Sequence, residues 1–256
     1  MLGFLRRLRR SLIEEGRLRK YLVYAVGEVF LVMIGILLAL QVNNWNQQLS
    51  IYQKQKDYLL IIRSEFVNNV VALERAKNDV TGTLEAQREI IALMDAGSEV
   101  EESRLSSLWA QSFSVDVEFQ YENGAMTELL SSGGLKDIAN DSIRSELASW
   151  GGRIQKVRLQ EKLLYSYWVK CNDYLEAHAD FRTVVDELEI SKGMGIGISP
   201  RNNSNNPILQ SQELENYLVL YLMVGDGLIG LYSDLQNDFQ ILVGMIEEEL
   251  DMSESS

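Results

Sequence analysis

The chain has 256 residues and a formal net charge of −13, with one cysteine, one histidine and two prolines. A single cysteine excludes an intramolecular disulfide, and one Cys with one His is too few ligands for a zinc or copper centre built on those types. The acidic surplus argues against a nucleic-acid partner, since phosphate binding needs basic surface, and no cofactor is expected.

The charge is unevenly spread. Residues 1–20 carry Arg6, Arg7, Arg9, Arg10, Arg17, Arg19 and Lys20 against Glu14 and Glu15, a net of +5; the remainder holds 17 basic and 35 acidic groups. Leu2, Leu5, Leu8 and Leu12 fall on one helical face beside the arginines, so 1–20 reads as a basic amphipathic cytoplasmic segment that rests on the membrane surface or, alternatively, serves only as a positive-inside anchor.

Residues 21–42 follow as a transmembrane helix. The run from Tyr21 to Leu40 contains one charged residue, Glu28, and at about 1.5 Å per residue spans roughly 30 Å, the hydrocarbon thickness. It is too long for a signal-peptide core and lacks a small-residue cleavage site, so an uncleaved anchor is expected. The basic residues before it place the N-terminus in the cytoplasm, and Tyr21, Tyr24 and Trp45 suit the interfaces. Helical spacing puts Glu28, Leu31, Gly35 and Ala39 on one stripe. Gly35 and Ala39 form a small-xxx-small pair that lets two helices approach closely. The alternative is a Glu28 that is protonated, or that snorkels toward Tyr24 or a basic residue.

Residues 43–250 read as an extracytoplasmic helical bundle, followed by an acidic tail at 251–256. A 3–4 apolar repeat runs from Trp45 through Leu59, Phe66, Leu73, Val80 and Leu84 to Met94. It predicts one long helix stopped at Gly97, with Thr81 and Gly82 permitting a bend. A short helix is expected at Arg104–Ser112, extended chain where Phe113, Val115, Val117, Phe119 and Tyr121 alternate, and another short helix at Asn123–Ser132 ended by Gly133 and Gly134. A second long repeat, capped at Asn140 or Asp141, runs from Ile143 to Glu189. A third, capped at Ser211, runs from Leu214 to Glu249. Residues 191–210 hold both prolines and read as a loop. Its alternating glycines lack the strand and the Lys-Ser/Thr of a phosphate-binding loop. The predicted fold is all-α: the membrane helix continues into an elongated antiparallel bundle, whose second helix returns toward the membrane. The 191–210 loop then lies near the membrane, and the 98–140 elements cap the distal end.

Gly27-Glu28, Ile34-Gly35-Ile36-Leu37 and Ala39-Leu40-Gln41-Val42-Asn43-Asn44-Trp45-Asn46 together resemble the signature of an uncharacterised bacterial family of single-pass inner-membrane proteins. Glu15-Gly16 and Lys20-Tyr21-Leu22 fit it too. A second block is similar: Gly124–Leu130, Ser131-Ser132-Gly133 and Asn140-Asp141-Ser142-Ile143-Arg144. The resemblance implies the topology and a bacterial envelope setting, with the bulk of the chain periplasmic, and supplies no catalytic residues.

No catalytic constellation is expected. Asp116/Glu118 and Glu247/Glu248/Glu249 read as solvated acidic faces; Cys171 and His178, seven residues apart on one face, read as a core residue and a polar helix residue. The sequence therefore favours a non-enzymatic anchored scaffold or accessory subunit, oligomeric through its transmembrane helix, with the lipid bilayer and homo-oligomer or membrane-complex subunits as partners. The alternatives are an ion- or proton-conducting oligomer using Glu28, or a ligand-sensing periplasmic module, with its site near Phe113–Leu135, that acts through a partner.

Overall fold

The computed structural model describes residues 18–113, 118–201 and 203–254, and every described element is helical or irregular. Two compact units divide the chain, Met1–Lys56 and Asp57–Ser256. Helix α1, Leu18–Ala96, contributes to both. It runs without interruption through Thr81 and Gly82, where the Thr81 hydroxyl donates to the Lys77 carbonyl. It stops at Gly97, whose φ of +60° suits a residue without a side chain.

In the first unit, the described residues are helix alone. From Tyr21 to Ser50 nearly every side chain is exposed, including Leu22, Val29, Leu31, Leu38 and Leu40. A long apolar helix with none of its most apolar stretch covered by protein is what a membrane span requires.

The second unit is a bundle of α1 from Asp57 onward, α2 (Glu102–Phe113), α3 (Gly124–Ser131), α4 (Asp141–His178), α5 (Phe181–Glu187) and α6 (Gln212–Glu254). Short 3-10 turns occupy Gly134–Asp137 and Asn206–Gln210. The apolar repeats form its centre: Leu59, Leu73, Val80 and Leu84 of α1, Ile143, Leu147, Val157 and Leu164 of α4, and Leu218, Leu228, Leu235, Leu242 and Ile246 of α6 are buried. One aromatic from each long helix meets at mid-bundle. The Phe66 and Trp150 rings stack at 4.8 Å, and Phe239 lies 4.9 and 4.7 Å from them. Such pairs add attraction beyond their buried area.

Polar pairs give the directions. Arg63–Glu247, Glu74–Gln236 and Arg88–Asp226 place α6 antiparallel to α1. Asn140–Glu249, Arg153–Asp238 and Gln160 to the Val224 carbonyl place it antiparallel to α4 as well. Helices α1 and α4 are therefore parallel, which corrects the expected return of the second long helix. The 98–140 segment makes the return instead. Trp168 Nε1 donates to the Phe113 carbonyl, Glu161 accepts from Phe119 N, Asn69 exchanges two bonds with the Glu122 backbone, Glu65 caps α3 and Tyr58 meets Ser132. As the chain advances its partners on α1 step back from 69 to 58. The 98–140 elements thus run the length of the bundle rather than capping one end. The 191–210 loop sits beside α2, where Asn206 bonds both backbone groups of Val100, at the Ile90 end of the bundle and far from Leu59. The expected packing of this loop at the Leu59 end of the bundle is overturned with it.

Three local expectations also change. The second repeat is broken at Ala179, because Asp180 accepts from Arg182 N and Thr183 N and starts α5 as a new helix. Residues 251–254 of the expected acidic tail continue α6. Val115 and Val117 of the alternating stretch lie outside the described residues. Phe119 is buried and Tyr121 half-buried, with Gln120 exposed between them, and no strand forms among the described residues. Asn140 and Ser211 cap α4 and α6 as expected, accepting from Ser142 and Ile143 and from Leu214.

Candidate functional site

The membrane-facing candidate is one face of α1. At 100° per residue, Glu28, Leu31, Gly35 and Ala39 fall within an arc of about 80°. Leu31 is 71% exposed, and a Cβ added to Gly35 would meet nothing within 4 Å. No side-chain hydrogen bond or ion pair to Glu28 forms among the described residues. The structure brings these four residues onto one face, with no described residue of the first unit over them. Of the surface-anchoring group, Arg6, Arg7, Arg9, Arg10 and Arg17 lie outside the described residues, and Arg19 and Lys20 are placed in α1 by backbone only. Trp45 is on α1 and 66% exposed.

In the second unit the described residues of the expected acidic faces stay solvent-accessible, and Glu118 and Glu247 form ion pairs. Arg158 bridges Glu118 at 2.9 Å and Glu161 at 2.8 Å, and Glu247 pairs with Arg63. Asp116 lies outside the described residues. Glu161 and Glu65 are exceptions to a solvated acid, and Glu161 is the more buried. The Glu161 carboxylate accepts from Phe119 N at 2.9 Å and from the Tyr232 hydroxyl at 2.6 Å. Burial first, then the bond to Glu161, pushes the Tyr232 hydroxyl far above the ordinary tyrosine range. The sequence held a signal for this site, an acid at a core position of the α4 repeat.

A second carboxylate, Glu65, sits at the N-terminus of α3. It accepts from Ala125 N at 2.7 Å and from Met126 N, replacing the side-chain cap that Asn123 does not give. Burial raises its affinity for a proton, the two N–H bonds oppose this, and the Glu122 charge adds to it. At the Ile90 end, Asp180 and Asp186 tie down the 191–205 segment. Asp180 is held below the usual carboxylate range by the Asn203 side chain first, and Asp186 by the Ser191 hydroxyl first and then Ser199 N.

Cys171 is fully buried, and burial pushes its thiol up to about 12, so thiolate chemistry is suppressed. His178 is exposed and packs on Tyr174 at 4.3 Å, so the two residues do not form a nucleophile–base pair. Among the described residues no group of three or more His, Cys, Asp or Glu could hold a metal ion.

Sequence reasoning missed one feature. A cavity of about 190 Å³ opens between α2, α4 and α5, lined by Trp109, Ala110, Phe113, Asn172, Leu175, Ala179, Phe181 and Val184. Its walls come from three elements and share no periodic pattern. Only the Phe113 end of the expected ligand region touches it.

No protein-family profile, curated protein or solved structure matches the chain. The resemblance carried by the Gly27–Asn46 block therefore contributes an expectation of topology and no residue roles.

Proposed function

We propose that this protein is a non-enzymatic, membrane-anchored interaction subunit of a bacterial envelope assembly, self-associating through its transmembrane helix. In this reading the N-terminus is cytoplasmic, held by the basic residues of 1–20. The span lies in the inner membrane, and the helical unit from Asp57 onward is periplasmic.

One observation carries the reading: Glu28 lies in an apolar, uncovered stretch of α1 on the face that also presents Gly35 and Ala39. An acidic side chain facing lipid at that depth costs about 2.5–3.5 kcal/mol at the bilayer centre on an insertion scale. A second helix packed on that face removes the carboxyl from lipid, and the small residues allow the approach. The same carboxyl, gathered around a symmetry axis, is what a proton-conducting oligomer would need; this is the second reading.

The test is sedimentation equilibrium of the full chain in mild detergent, with mass spectrometry of whatever copurifies at stoichiometric ratio. Self-association weakened at least tenfold by Gly35→Leu and by Ala39→Leu supports the proposal. A strictly monomeric chain with no stoichiometric partner refutes it. Proton flux into vesicles that depends on Glu28, lost in Glu28→Gln, moves the assignment to the second reading.

A further inference from the structure

We infer that the cavity between α2, α4 and α5 is a binding site for one small, uncharged aromatic molecule bearing a hydroxyl or N–H donor, a phenol-type ligand, with Asn172 as its hydrogen-bond acceptor.

Size sets the first limit. At about 190 Å³ the cavity exceeds the roughly 150 Å³ apolar cavity that takes up a benzene ring. One ring with one or two small substituents fits; a fused polycyclic or a long acyl chain does not. Wall chemistry sets the second. Among the described residues no ionisable side chain lines the cavity, and the aromatic rings of Trp109, Phe113 and Phe181 form much of it. Trp109 and Phe113 stack with centroids 6.1 Å apart and 19° between planes, presenting flat apolar surface to a ring. A charged ligand would lose its hydration with nothing to replace it. Access is at Phe181, which is 44% exposed while Trp109, Leu175 and Val184 are buried.

The third limit is directional. Asn172 supplies the one amide side chain among the described lining residues, and the Trp109 indole N–H, a donor only, is buried there without a described hydrogen-bond partner. Asn172 Nδ2 donates to the Trp168 carbonyl at 2.9 Å, which fixes the amide orientation and leaves Oδ1 as an acceptor with no donor among the described residues. A ligand hydroxyl or N–H completes that atom; a ligand carbonyl does not. The pattern, an apolar pocket with few placed polar groups, is that of small-molecule sites generally.

The experiment uses the full chain in lipid nanodiscs, labelled with ¹⁵N at the tryptophan indoles. The Trp109 signal, assigned by its loss in Trp109→Phe, reports on the cavity wall. The probes are p-cresol and p-xylene, matched in shape and differing by the donor. Both should shift the Trp109 signal saturably. The p-cresol to p-xylene affinity ratio should fall about fivefold to tenfold in Asn172→Leu, the worth of one neutral hydrogen bond. Lipid partitioning is common to both proteins and cancels in that comparison. Val184→Phe, which fills the cavity, should abolish the shift for both probes; Ala110→Leu does the same from the α2 wall should Val184→Phe fail to fold. Absence of a saturable shift in the wild-type chain overturns the site. An affinity ratio unchanged in Asn172→Leu overturns the assignment of acceptor and ligand class.

Discussion

Gly225→Ala probes a close approach of α6 to α1. A Cβ at this position would stand 2.6 Å from Leu84 Cδ2, 3.0 Å from Cδ1 and 3.3 Å from Cγ. Ordinary carbon contacts are about 3.5–4.0 Å, so the nearest overlap is about 1 Å. Leu84 is fully buried and has no route to solvent by which to relieve it. Overpacking of this kind costs about 1–3 kcal/mol, whereas Ala for Gly inside a helix gains about 0.5–1 kcal/mol. The net expectation is a loss of about 0.5–2 kcal/mol. Gly230 and Gly244 lie on the same helix with nothing within 4 Å of a built Cβ, so Ala there keeps the gain alone. In a domain of this size 1 kcal/mol moves Tm by about 2–4 °C. Thermal unfolding followed by circular dichroism, in one mild detergent, should show Gly225→Ala lowered by about 1–8 °C and the other two raised by about 1–4 °C. In a Leu84→Ala background, Gly225→Ala should turn neutral or stabilising, because the methyl group then enters the space Leu84 vacated. A Gly225→Ala protein as stabilised as Gly230→Ala would refute the α1–α6 contact between Leu84 and Gly225.

Glu161→Ala removes the bonds that Phe119 N–H and the Tyr232 hydroxyl make to the buried carboxylate, at about 1–3 kcal/mol each, so denaturant unfolding should show a loss of about 2–6 kcal/mol, against roughly 1–3 kcal/mol for Tyr232→Phe. The two losses should be less than additive in the double variant, since they share one bond. Asp180 and Asp186 bind protons more weakly folded than unfolded, so their contribution is present above the ordinary carboxylate value of 3.8 and fades as pH falls through their lowered folded values. The Ser199 and Thr183 amide resonances should therefore titrate below pH 3.8 rather than at it, and the Ser199 response should vanish in Asp186→Asn. Glu65 has the opposite sign: its folded form holds the proton more tightly, so stability falls as pH rises from 4.5 through its raised value, and Glu65→Gln should flatten that window.

The all-α class, the span of α1 and the caps at Gly97, Asn140 and Ser211 were legible because each rests on local pattern: composition, 3–4 periodicity, a residue at a helix end. The direction of α4 was not. A stripe such as Ile143, Leu147, Trp150 and Val157 says which face is buried, and it is equally satisfied by a parallel or an antiparallel neighbour. What decides is where the 98–140 segment is clipped. Those clips are polar pairs 50–60 residues apart, Glu65 to Ala125 and Asn69 to Glu122. Their trace in the sequence is slight. Glu65 and Asn69, one helical turn apart, interrupt a seam otherwise made of Leu59, Ile62, Phe66 and Leu73, much as Glu161 interrupts the seam of α4. Buried polar residues on an apolar stripe pointed to long-range bonds in both places. The cavity left no such trace, since its walls combine buried and partly exposed residues of separate helices whose incomplete packing arises only when α2, α4 and α5 meet.

Helices α1 and α6 are both long and apolar enough to cross a membrane, yet the two meet different surroundings. The difference lies in where the charges stand relative to the apolar residues. Between Tyr21 and Leu40 the apolar side chains cover every face of α1, and only Glu28 is charged, the composition lipid tolerates on all sides. On α6 the apolar residues collect on one buried face from Leu214 to Ile246. The opposite side carries Asp226 and Asp234 exposed, and Asp238 half-exposed, with Asp226 and Asp238 bonded to Arg88 and Arg153. Lipid would strip those carboxylates of water, so α6 belongs to a water-facing bundle despite its hydropathy. By the same comparison Glu28 stands out. It is the one residue of the α1 span placed as a soluble helix would place it, on a face that needs a polar or protein neighbour. Under the proposed function, that asymmetry makes the Gly35–Ala39 side, rather than the helix as a whole, the surface on which association should depend.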